Sequence, residues 1–211
     1  YNNFVRSFST SGIANDFIDI ASMNASFPAY DIHVYDNFIF GLGNAIASVT
    51  GYGQIDLHHN TLAGGYTYSL YINTVTAPSI NALSVVRNND LDSGSEIYVK
   101  NFNGIYLEGN AIREAMTFIL DQGVEIKANS MACSPTSCPV LIQGVVGLDW
   151  SANDITGQNS PITIQPSGST RSQDLNFSGS WRYGTGSFLT FSGGAPVTDN
   201  VTAQMNLGGS E

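Results

Sequence analysis

One short line of residues recurs along this chain and limits its fold more than any other feature. Within 104–143 two copies nearly superimpose: Gly104-Ile-Tyr-Leu-Glu-Gly-Asn110-Ala-Ile112 and Gly123-Val-Glu-Ile-Lys-Ala-Asn129-Ser-Met131. Each begins at glycine, alternates apolar with polar residues, reaches an asparagine and resumes an apolar position two residues later. Alternation of this kind is extended chain with one face buried. The fixed asparagine predicts a residue in the left-handed region at that point, which asparagine tolerates better than most side chains. Further copies reach Asn37, Asn60, Asn89 and Asn153, weaker ones reach Ser180 and Asn206, and Asn3 reads as the tail of another. The line before Asn89 carries an extra residue, which predicts a local irregularity. Successive markers lie 19 to 29 residues apart. A repeat of about 24 residues is the signature of a solenoid whose coil holds three short strands and three turns. About eight coils are expected, rising about 4.8 Å each.

Composition narrows the classes of function. Charged residues make up 11% of the 211 residues, with asparagine, serine, threonine and glycine carrying the polarity, and the net charge is −10. An acidic chain of pI 4.4 lacks the basic face that nucleic acid requires. No apolar run is long enough to span a membrane as a helix. The chain does not begin with Met and shows no signal peptide, so residues 1–211 are expected to be one domain that is a fragment or mature piece of a longer rod. Cys133 and Cys138 enclose a short loop and are expected to pair as a disulfide, which fits a secreted or extracellular setting.

Further strand candidates fall once per coil, at 17–21, 45–50, 70–75, 96–100, 118–121, 140–143, 162–165 and 188–192. None of the seven prolines needs a strand interior. With its asparagine line and three strands per coil, the whole chain resembles the right-handed parallel β-helix of the pectate-lyase-like superfamily. The resemblance implies an all-β solenoid with an internal ladder of Asn37, Asn60, Asn89, Asn110, Asn129 and Asn153. It also implies polysaccharide as the substrate class. The family's catalytic motifs are mostly missing: Asn73-Thr74 is followed by Val75, and there is no Gly-His-Gly.

Stacking makes residues one coil apart lateral neighbours, so outward positions can be collected into columns. Two before each marker stand Tyr35, His58, Arg87, Glu108, Lys127 and Ser151; four before stand His33, Asp56, Tyr106, Glu125 and Asp149. Glu125 beside Asp149, with Glu108 nearby, is a candidate carboxylate pair for acid–base chemistry, and Arg87 and Lys127 are candidate substrate cations. The plainer reading is a solvated charge ladder. The strand after the third turn displays Tyr71, Asn73, Tyr98, Lys100, Asp121, Gln143 and Gln165. Aromatic rings interleaved with amides suit sugars. Lys100 and Asp121 are expected as near neighbours and make the alternative catalytic pair. No cofactor is assigned. Calcium enters only through the resemblance and would have to rest on Asp121. The His58-His59 pair is set aside as a metal site, because one ring must point inward or into the turn.

Three functions remain open. The first is an extracellular β-helix that binds and cleaves a polysaccharide as lyase or hydrolase. The second is a trimeric receptor-binding or depolymerase module of a phage tail. The third is a non-catalytic rod that self-associates end to end through exposed strand edges.

Overall fold

The structure is a computed structural model describing residues 1, 3–6, 16–22, 31–51, 54–73, 84–92, 96–132, 138–157, 161–193 and 198–208. These residues form a parallel β-solenoid, every pairing between named strands being parallel, with no helix among them. Each coil contributes to three sheets. The leading sheet, before the asparagine, stacks His33–Tyr35, Asp56–His58, Ser84–Arg87, Asn103–Glu108 and Gln122–Lys127. The first halves of Val146–Thr156, Ser172–Arg182 and Thr198–Gly208 continue it. The middle sheet, after the asparagine, runs from Phe4–Arg6 through Asp90–Asp92, Ala111–Ile112 and Ser130–Ala132. The closing sheet stacks Ile18–Ser22, Glu96–Lys100, Ala115–Ile119, Val140–Gln143, Ile162–Gln165 and Leu189–Phe191. In two coils the middle and closing strands fuse, as Phe38–Gly51 and Thr61–Asn73.

Alternation now has a physical result. Leu57, Val86, Leu107, Ile126, Trp150 and Phe177 form one unbroken inward column, all fully buried. Ile39, Leu62, Leu91, Ile112, Met131 and Ile155 form a second. Val49, Ile72, Val99, Phe118, Ile142 and Ile164 form a third. Each such side chain removed from water stabilises the coil by about 1.5–3 kcal/mol. The core is therefore a shaft of stacked like residues.

The corner chemistry corrects the sequence reading. The residue with positive φ is the one before each asparagine: Asp36, His59, Asn88, Gly109, Ala128 and Ala152, all between +53° and +65°. That single left-handed step turns the next side chain inward, so the asparagine is buried. Its Oδ1 accepts the backbone N–H and the side-chain amide of the preceding coil's asparagine, from Asn3 through Asn37, Asn60, Asn89, Asn110 and Asn129 to Asn153, at 2.9–3.1 Å. The ladder is an internal hydrogen-bonded spine that satisfies corner groups which would otherwise be orphaned.

The solenoid makes about six turns, against the eight expected. Ser180 and Asn206 do not mark corners. The strand register slips between Trp150 and Asn153, so Gly179 stands opposite Asn153 and Ser180 opposite Asp154. Ser180 Oγ consequently donates outward to Asp154 Oδ1 at 2.6 Å, and Asn206, opposite Ser180, is exposed. The irregularity expected before Asn89 is absent: Val85, Val86 and Arg87 pair evenly with both neighbouring coils.

Candidate functional site

On the leading sheet the register places Glu125 opposite Asp149, and Lys127 opposite Glu108 and Ser151. Arg87 lies opposite Glu108 on the other side, so the expected row Arg87, Glu108, Lys127 is formed. Lys127 Nζ sits 2.7 Å from Glu125 Oε2 and 3.2 Å from Asp149 Oδ2, and 5.9 Å from the centre of the Tyr106 ring. Hydrogen bonds to Glu125 and then Asp149 push the ammonium's pKa well above its ordinary value. These two carboxylates favour the charged ammonium. Loss of solvent, and after it the hydrogen bond to Glu108, raises the pKa of the Tyr106 phenol. Asn176 Nδ2 donates to Asp149 Oδ1 at 3.2 Å. The two candidate catalytic carboxylates therefore share one cation.

The closing sheet carries the aromatic side chains. Tyr71 and Tyr98 are register partners with ring centres 5.3 Å apart and planes 12° from parallel. Tyr68 tilts against both, at 4.9 and 5.7 Å. Sequence alternation hides Tyr68, because it predicts that residue 69 shares a face with Tyr71. A register shift between Tyr68 and Leu70 moves Tyr68 outward instead. Ser69 turns into the core and its Oγ is hydrogen-bonded to the buried carboxylate of Glu114. Asn73 Nδ2 donates to the Tyr71 hydroxyl at 2.9 Å, and Lys100 lies opposite Asn73. Burial against the cluster, then the neighbouring Tyr71 hydroxyl, raises the Tyr98 pKa, which keeps its phenol a neutral donor. The stack is flanked in register by small residues, Ser48 beyond Tyr71 and Thr117 beyond Tyr98. Its outer ring faces thus meet no bulky register neighbour. Gln143 Nε2 donates to the Pro166 carbonyl, and Gln165 Oε1 accepts from Ser192 Oγ. These two amides extend the polar surface several coils beyond the rings.

Asp121 does not belong to this face. Leu120 adopts φ +56° at the corner into the leading sheet, and that step turns Asp121 fully into the core. Its corner column holds Phe102 and Val145, both buried. The register partner of Lys100 is Ile119, so the expected Lys100–Asp121 pair is not formed. Asp121 Oδ1 accepts the Phe102 N–H at 2.8 Å, while Oδ2 has no hydrogen-bond partner. Desolvation pushes its pKa up to about 8, against the lowering effect of the Phe102 and Ile119 backbone bonds. This buried carboxyl is the one on which the calcium expectation would have to rest. Cys138 is buried, and its expected partner Cys133 lies outside the described residues.

The fold defines the class of the protein as a parallel β-solenoid with an internal asparagine ladder. No protein-family model, no curated protein and no solved structure matches the chain.

Proposed function

We propose that the chain is an extracellular β-helix protein of the pectate-lyase-like kind that binds a polysaccharide along its closing sheet. The observation that carries this reading is the Tyr68, Tyr71 and Tyr98 cluster, edged by Asn73 and Lys100. Aromatic rings pack on the apolar faces of sugar rings, and amides and phenols bond the hydroxyls. The low charge and the amide-rich surface suit a neutral or weakly charged glycan. Pairing of Cys133 with Cys138 belongs to the same reading, since an oxidising compartment preserves such a bond. Binding is favoured over cleavage because Lys127 is clamped between Glu125 and Asp149.

Electrophoresis through gels cast with individual neutral and uronate polysaccharides tests the proposal. Retardation in at least one gel, relieved in Tyr71→Ala and Tyr98→Ala, supports it; free mobility in every gel overturns it. Ultraviolet absorbance from an unsaturated uronate would instead mark a lyase. A second reading, self-association, draws on Thr198–Gly208, which among the described residues is paired on one side only, with Leu207 66% exposed. Sedimentation over a range of concentrations separates it from a monomeric binder.

A further inference from the structure

All three histidines of the chain meet on one patch of the leading sheet, away from the tyrosine cluster. Stacking sets His33 opposite Asp56 and Tyr35 opposite His58. His33 Nδ1 lies 3.1 Å from Asp56 Oδ2, and the ligand atoms of His33, Asp56 and His58 all fall within 4.8 Å of one another. We propose that His33, Asp56 and His58 form a binding site for a borderline divalent transition-metal ion, zinc foremost.

Four features support this assignment. Tetrahedral zinc with bonds of about 2.0–2.1 Å holds its ligand atoms about 3.3 Å apart, and His33 and Asp56 already stand at that separation. Only His58 has to close.

Asp31 supplies the outer contact that metal-bound imidazoles usually have. Its Oδ1 lies 3.1 Å from His33 Nε2 while Nδ1 faces Asp56, so with an ion on Nδ1 the Nε2–H would donate to Asp31. Two carboxylates thus flank one imidazole, and a cation on Nδ1 and Asp56 Oδ2 would take the place of the hydrogen bond between them.

The His58 ring is held in place by its neighbours. It stacks on Tyr35 at 5.0 Å with planes 2° apart, Tyr35 stacks in turn on Tyr1, and His58 Nδ1 meets His59 Nδ1 at 2.9 Å. His59 occupies the left-handed corner position and stands exposed beside His58, outside the three-residue cluster.

Finally, the Asp56 carboxylate is only partly paired by protein groups. Arg87 donates to Oδ2 at 3.2 Å, while Oδ1 has no hydrogen-bond partner. The chemistry selects zinc, nickel or copper over calcium, because two imidazoles and a single carboxylate are a nitrogen-rich donor set. A bound ion would pin the coils of Asn37 and Asn60 to each other.

Calorimetric titration of the chelator-treated chain with zinc chloride tests the site. One ion per chain is expected, with binding lost in His33→Ala and His58→Ala and weakened about tenfold in Asp31→Asn. No binding, or binding unchanged in both histidine variants, overturns the proposal and leaves a surface ion-pair cluster only. Should those variants fail to fold, the wild-type chain decides through the ring proton resonances of its histidines on addition of Co²⁺. Selective perturbation of His33 and His58 supports the site, and unperturbed rings overturn it.

Discussion

Asn129 Oδ1 accepts two hydrogen bonds from Asn110, one from its backbone N–H and one from its side-chain amide, both at 2.9 Å. One oxygen thereby satisfies two buried donors of the coil above. Asn129 Nδ2 in turn donates to Leu107 O and to Asn153 Oδ1. Asn129→Ala strands both Asn110 donors, at about 1–3 kcal/mol for each buried unsatisfied group. Destabilisation of about 3 kcal/mol is expected, read as a lower denaturant midpoint with unchanged slope. A loss below about 0.5 kcal/mol would show that the ladder is ornamental.

The left-handed corner makes an opposite prediction. Ala128 and Ala152 hold φ near +54°, where a Cβ costs roughly 1–2 kcal/mol. Ala128→Gly and Ala152→Gly should each stabilise the protein by roughly 0.5 kcal/mol after the entropy of glycine is counted. Gly64→Ala should do the reverse. Its φ is +124°, and an added Cβ would lie 2.2 Å from the Gly41 carbonyl oxygen. Because backbone rather than a flexible side chain blocks it, a loss of more than about 2 kcal/mol in thermal unfolding is expected.

Asp121 is the counterpart of a ladder asparagine at another corner. It follows a left-handed residue, turns inward and accepts the N–H of the equivalent residue one coil earlier. Its folded pKa of about 8 lies above the ordinary 3.8, so the folded protein binds a proton that the unfolded chain releases. That contribution to stability is whole below about pH 4 and is lost as pH rises toward 8. Asp121→Asn keeps the acceptor for Phe102 and removes the titration. Unfolding midpoints between pH 4 and 8 should fall with pH in the wild type more steeply than in the variant. Parallel curves would contradict the burial of an ionisable carboxyl.

The solenoid and its ladder were legible because stacked coils demand the same residue at the same corner, and six asparagines supply it. Period-2 alternation also located Glu96–Lys100, Val140–Gln143 and Ile162–Gln165 at their observed bounds. Parity failed wherever one residue left the extended region. Leu120 at positive φ reversed the sense of Asp121, and the register shift after Tyr68 reversed that of Tyr68 and Ser69. The histidine cluster was hidden for a related reason. The adjacent His58 and His59 suggested that one ring points inward or into the turn; His59 does sit in the turn, but that corner leaves both rings near the surface.

The charge row on the leading sheet gives the control that the tyrosine face needs. Lys127 and its two carboxylate partners are partly exposed, so Lys127→Ala should change stability by no more than about 1 kcal/mol. The same substitution should leave glycan binding intact.

The most direct measurement of the central claim is the equilibrium affinity of the intact chain for the polysaccharide that retards it, compared among Tyr98→Ala, Tyr71→Ala and Lys127→Ala. Removal of one stacking ring should weaken binding about tenfold or more, corresponding to the roughly 0.5–1.5 kcal/mol of aromatic contact plus its buried area, with Lys127→Ala equal to wild type. Unchanged affinity in both tyrosine variants, or loss confined to Lys127→Ala, would contradict the account.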